Sequence, residues 1–121
     1  MKEIEVHVGY NRKILKKRVL KAVRRAKAGV HVGECHVTFE SWEGLAKTLT
    51  SKRLQLLRHL HSSPAASIAE FARALRRDYK RVHEDIDILS TAGLVARTKD
   101  GKVRADYDEI RTSITLLPPA A

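Results

Sequence analysis

The 121-residue sequence predicts an α+β chain: a three-helix core followed by a β-hairpin, preceded by a strand–helix extension. Three observations predict it. Ser67 to Gly93 reads as two short capped helices joined by a tight turn. Two short apolar runs flank Lys99-Asp100-Gly101, and Asp-Gly between such runs is a strong local hairpin signal. At the other end of the chain, residues 4–8 alternate apolar and polar ahead of a basic helical stretch.

In chain order, Ile4, Val6 and Val8 fall on one side of a short strand, with Glu5 and His7 on the other, and Gly9 closes it. Asn11 is placed to cap a helix running to about Ala28, with Gly29 past its end. Leu15, Val19, Ala22, Val23 and Ala26 share one face of that helix; Lys13, Lys17, Lys21 and Arg24 lie opposite. His36-Val37-Thr38-Phe39 reads as a second strand. Ser41 caps a short helix, with Trp42 and Phe39 as large core candidates. Thr50 or Ser51 caps the next helix, Lys52 to about His61, with Leu54, Leu57 and Leu60 inward, and Ser62-Ser63-Pro64 breaks it.

Ser67 and Glu70 form a capping-box pair, and Ile68, Phe71 and Leu75 fall on one helical face. Arg76 and Arg77 end that helix, where cations suit its negative end. Asp78 caps the next, in which Val82, Ile86 and Leu89 recur at i, i+4 and i+7 before Gly93. A capped helix, a brief turn and a second helix with a polar, basic first turn is the helix-turn-helix pattern. With a hairpin behind it, the pattern is a winged helix. In that geometry Tyr79, Lys80, Arg81 and His83 meet base edges, while Arg76, Arg77 and the hairpin cations Arg97, Lys99, Lys102 and Arg104 meet phosphates. Glu84, Asp85 and Asp87 put negative charge on the same helix, so only its first turn is expected to enter a groove. Tyr107 to Leu117 reads as a last strand. The expected division is residues 1–35 as the strand and basic helix, 36–117 as the winged helix, and 118–121 as a disordered tail.

Charge points the same way. Twenty-four Lys and Arg stand against 14 Asp and Glu, a formal +10, which implies a polyanionic or acidic partner. Residues 1–30 alone carry ten Lys and Arg against two acids, a local +8. Three readings of this basic helix stand: a solvated face over a packed stripe; a phosphate or acidic-partner docking face made by Lys13, Lys17, Lys21 and Arg24; and a membrane-surface helix, disfavoured because its apolar face lacks an aromatic anchor. The one cysteine, Cys35, cannot form an intramolecular disulfide, no leader-like apolar region follows Met1, and no apolar run reaches about 18 residues. A cytoplasmic location without a membrane partner is the expectation. No phosphate loop or nucleophile motif is present, so no enzyme activity and no catalytic residue is expected. Cys35-His36 and His59-x-His61 lack zinc spacing, so neither metal nor cofactor is expected.

Four segments carry a resemblance: Val37-Thr38-Phe39-Glu40-Ser41-Trp42-Glu43-Gly44-Leu45, Leu49-Thr50-Ser51-Lys52-Arg53-Leu54-Gln55-Leu56-Leu57, Asp78-Tyr79-Lys80-Arg81-Val82-His83-Glu84-Asp85 and Ala92-Gly93-Leu94-Val95. Over about residues 36–110 the chain resembles small prokaryotic MarR-like winged-helix regulators that accompany TumE-type toxins. The resemblance implies a dimeric binder of operator DNA that represses its own operon and neutralises a partner toxin. By motif position it carries the recognition role to Tyr79, Lys80, Arg81 and His83. The competing expectation is a basic protein- or RNA-binding adaptor without sequence-specific DNA readout.

Overall fold

The structure is a computed structural model that describes residues 2–9, 30–33, 35–114 and 116. In chain order its elements are β1 (Glu3–Val8), β2 (Val30–Gly33), β3 (His36–Phe39), α1 (Trp42–Thr48), α2 (Ser51–Ser62), α3 (Ile68–Leu75), α4 (Tyr79–Thr91), β4 (Ala96–Arg97), β5 (Val103–Arg104) and β6 (Glu109–Ile114). The class is α+β, as expected. No helix among the described residues is long and apolar enough to cross a membrane. The basic stretch with Lys13, Lys17, Lys21 and Arg24 lies outside the described residues.

The chain divides into two compact units, Met1–Lys47 with Asp108–Ala121, and Thr48–Tyr107. The boundaries differ from the expected 35/36 division. Residues 36–47 and the last strand stand with the N-terminal strand, because β1 pairs parallel with both β3 and β6. The sheet order is β2-β3-β1-β6, with β2 antiparallel on β3. Both edges of β1 are therefore occupied within the chain, and β2 and β6 are the sheet's outer strands.

Strand alternation sorts the sheet's residues. Ile4, Val6, Val8, Val37 and Phe39 are buried. The two-residue repeat puts Glu3, Glu5 and His7 on the opposite face, beside Glu109, Arg111 and Ser113 in register. Ser41 caps α1 by accepting from the Gly44 amide at 3.1 Å, and Leu45 is its buried residue. Trp42, expected in the core, is 54% exposed. It opens a helix of 7 residues, ahead of the turn that carries Leu45 inward.

In the second unit the caps fall where the sequence puts them. Thr50 Oγ1 accepts from the Arg53 amide at 3.3 Å, Ser67 Oγ from Glu70 at 3.1 Å, and Asp78 Oδ2 from Arg81 at 3.3 Å. The α2 stripe is Leu56, Leu57 and Leu60; Leu54, expected inside, is only half-buried. The true register runs 53, 56, 57, 60, and so includes Arg53. The α4 stripe has the same form, with Val82, Asp85, Ile86 and Leu89 buried. The two charged members of these stripes meet, as described below.

The hairpin forms about Gly101, whose φ of 89° suits glycine. Thr98 organises the tip: its amide donates to the Lys102 carbonyl at 3.0 Å, and its hydroxyl accepts from the Lys102 amide at 3.0 Å. Ala65, in the α2–α3 connection, exchanges two backbone hydrogen bonds with Val103, each 2.9 Å. That third backbone segment ties the hairpin to the helices and buries Val103 completely.

Candidate nucleic-acid interface

The candidate surface is built by the α3–α4 turn. α3 ends at Arg76, which adopts the left-handed conformation at φ 54°, ψ 44°. Its amide donates to the Arg73 carbonyl at 3.1 Å, and the Arg77 amide to the Ala72 carbonyl at 3.1 Å. These bonds satisfy carbonyls that the helix end would otherwise leave open. A non-glycine residue in this region costs about 1–2 kcal/mol, so the turn holds an arginine where glycine would fit better.

An ion triad fixes what lies beneath the turn. Arg53 Nε donates to Asp85 Oδ1 at 3.0 Å, and Arg77 Nη2 donates to Asp85 Oδ2 at 2.9 Å. The Asp85 side chain is 12% exposed, against 16% for Arg53 and 26% for Arg77. The carboxylate thus joins α2, the turn and α4, with both oxygens occupied. The sequence alone counts Asp85 with Glu84 and Asp87 as negative charge on the helix and does not single out Arg53. The signal was present: position 85 falls inside the Val82–Ile86–Leu89 stripe, and an aspartate there needs a buried cation. The partner, 32 residues away, could not be read locally.

A second acid is also internally engaged. Asp87 Oδ1 accepts from Arg97 Nη1 at 2.6 Å, and Asp87 Oδ2 lies 3.0 Å from His83 Nδ1. Asp87 therefore links α4 to the hairpin. Of the three acids expected to oppose a polyanion on this helix, two are matched by cations of the same unit, and Glu84 remains at the surface.

The expected contact residues fall into two groups. Arg77, Arg97, Lys102 and Arg104 have carboxylate partners, Asp85, Asp87, Asp100 and Asp106 respectively. Arg76, Lys80, Arg81 and Lys99 are exposed and have no ion pair among the described residues. Tyr79 is exposed at the start of α4, its ring 5.8 Å from that of His83. Tyr79, Lys80, Arg81 and Arg76 are thus brought together at the turn, while Lys99 stands at the hairpin tip. Lys52, at the start of α2, borders the same depression as Arg77 and Arg81. The unit carries twelve Lys and Arg against seven Asp and Glu, a local +5.

A family model, HVO_A0114, matches residues 48–112, more than half of the 121-residue chain. The chain belongs to the HVO_A0114 family. The HVO_A0114 match takes in the whole helical unit and most of β6, and leaves out β1 to β3. No curated protein matches the chain, and no solved structure does.

Proposed function

We propose that Thr48–Tyr107 is a winged helix-turn-helix that reads double-stranded DNA, and that the chain is a transcriptional regulator. One observation carries the reading. Two of the three acids of α4 that would repel phosphates, Asp85 and Asp87, are engaged by Arg53, Arg77, Arg97 and His83. The helix's first turn therefore presents Tyr79, Lys80 and Arg81 with Arg76 beside them. Backbone strain held at an exposed arginine favours the same reading, since such strain concentrates at functional positions.

In this mechanism α3 and α4 are the two helices of the motif, and the β4–β5 hairpin is the wing. Lys80 and Arg81 contact base edges in the major groove, with Tyr79 and His83 flanking them. Arg76 and Lys99 contact phosphates directly. Arg97 and Arg77 act chiefly by holding α4, and contacts from Lys102 or Arg104 require exchange of an exposed aspartate. One helical turn reads few base pairs, so a dimer spanning half-sites roughly 34 Å apart is expected on a palindrome. Sedimentation that finds a monomer both free and on DNA overturns the dimer.

The deciding experiment measures binding to the DNA upstream of the protein's own gene against scrambled DNA across a salt titration. A preference of about 10³-fold or more at physiological salt is expected. Lys80→Ala should cost about 1–3 kcal/mol on the cognate site and relax its sequence preference. Equal affinities that collapse together with salt would sink the regulator reading. Structured RNA competing as well as operator DNA would favour the adaptor alternative. Toxin neutralisation rests on the family resemblance of the motifs. Its test is co-purification with the product of the adjacent gene, before and after Lys13, Lys17, Lys21 and Arg24 are changed to Glu. Unaltered binding would remove the docking role from those residues.

A further inference from the structure

The sheet of the first unit brings together three groups that no sequence motif joins. Glu5 and His7 are two apart on β1 and so share a face. His36 stands beside Glu5 in the parallel register, on the face opposite Val37 and Phe39. The Cys35 carbonyl accepts from the Glu5 amide at 3.0 Å, which pins the start of β3 against β1 at that point. His7 Nε2 lies 3.2 Å from His36 Nδ1 and 3.8 Å from Glu5 Oε2. One ligand-capable atom from each residue falls within 4.8 Å of the other two.

We infer that Glu5, His7 and His36 form a zinc-class divalent-metal site. Two imidazoles and a carboxylate are an established donor set for Zn²⁺. Tetrahedral bonds of about 2.0–2.2 Å place donor atoms roughly 3.3–3.6 Å apart, close to the two separations at His7 Nε2. The outer nitrogen is also engaged: His7 Nδ1 lies 2.8 Å from Ser113 Oγ, on β6. A hydrogen bond at Nδ1 orients Nε2 toward the cluster, the usual arrangement behind a metal-bound imidazole. The His7 and His36 rings are stacked, 5.5 Å apart and 16° from parallel, so binding one ion through both in-plane lone pairs requires one ring to rotate.

Competing charge on this face falls mainly on other acids, with a smaller share on Glu5. Arg111, next to Glu5 in register, is 2.5 Å from Glu109 and 3.4 Å from Glu3, two carboxylates other than the proposed ligand. The Thr38 hydroxyl, beside His7 in register, is buried without a hydrogen-bond partner among the described residues. This adds an unsatisfied polar group to the same face. His7 is 20% exposed and Glu5 46%, so the cluster is open enough to load from solution. Three protein ligands leave a fourth position for water or another donor. The histidine pair of α2 is unlike this site: the His59 ring packs 5.4 Å from Phe71, while His61 Nδ1 lies 2.8 Å from the Ala105 carbonyl.

The test uses the untagged full chain, stripped with chelator and titrated with Zn²⁺ against a chromophoric competitor. One equivalent should bind at submicromolar concentration. His36→Ala and His7→Ala should each weaken binding by at least a hundredfold, and Ser113→Ala by about 10–100-fold. His59→Ala with His61→Ala should change nothing. Circular dichroism checks that each variant is folded. Should the histidine variants unfold, Co²⁺ on the wild type decides: an intense visible band marks four-coordinate nitrogen and oxygen ligation, and Glu5→Gln should shift it. Absence of stoichiometric binding, equal affinity in folded His36→Ala, or a Co²⁺ spectrum indifferent to Glu5→Gln would overturn the site. The His7–His36 contact would then be a plain imidazole hydrogen bond.

Discussion

The two units solve the folding problem with different kinds of contact. Thr48–Tyr107 is made largely of neighbours: α2, α3, α4 and the hairpin follow one another in sequence, α3 packs on α4, and the hairpin folds back to α2 and the segment after it. The sheet unit is made of strangers, since β1 pairs with a strand over 100 residues away. Charge is handled differently as well. The helical unit buries one carboxylate between two arginines. The sheet unit keeps the polar groups of β1 and β3 on one face of the strands and their apolar ones on the other. Local contacts write themselves into periodicity and caps, whereas distant ones leave only compatible fragments.

Five variants break or sharpen this comparison. The largest effect is expected at the buried triad. Asp85→Ala leaves Arg53 and Arg77 without their shared carboxylate, a loss of the kind that costs about 3–5 kcal/mol; the partial exposure of Arg77 argues for the lower end. Denaturant titration of the full chain measures it. Replacing the pair together, as Arg53→Met with Asp85→Leu, should cost less than Asp85→Ala alone. A larger cost for the double variant would mean that the ions are needed for more than mutual compensation.

In the sheet, Ile4→Ala opens a cavity at a side chain only 1% exposed and should cost about 2–5 kcal/mol. Its signature is faster amide exchange across β3 and β6, the two neighbours of β1. Protection unchanged in β6 would contradict the parallel pairing of the chain's two ends.

Arg76→Gly separates stability from binding. Relief of the left-handed strain should hold or raise stability by up to about 1 kcal/mol. On the proposed DNA-binding reading, removing the Arg76 side chain should lower DNA affinity and reduce the salt slope by about one. A variant both less stable and equally tight on DNA would remove Arg76 from the interface.

The smallest effect lies at the hairpin tip. The Thr98 hydroxyl donates to the Asp100 carboxylate, and this, ahead of Lys102, holds the Asp100 pKa below its ordinary value. A depressed folded-state value stabilises the folded form above the ordinary aspartate range, and that contribution fades as pH falls through the depressed value. Thr98→Val should return the Asp100 titration, followed by NMR, toward the ordinary position. An unshifted titration would show that the hydroxyl does not govern it.

The sequence by itself determined the α+β class, the caps at Thr50, Ser67 and Asp78, the α3–α4 turn and the hairpin at Asp100-Gly101. Each is set by residues within a few positions of one another, so its physics is local. It also located the cations of the turn and the hairpin, but not which of them are matched by acids. Tertiary structure decided that Arg77 and Arg97 hold Asp85 and Asp87 while Arg76, Lys80, Arg81 and Lys99 stay exposed. It turned Trp42 outward and brought Arg53 into a stripe that otherwise reads as leucines. It also placed the last strand beside the first, and Glu5, His7 and His36 against one another. Parallel pairing uses no connecting turn, and an ion pair carries no periodicity. Such contacts exist only once distant segments are packed, when burial sets which charges must find a partner.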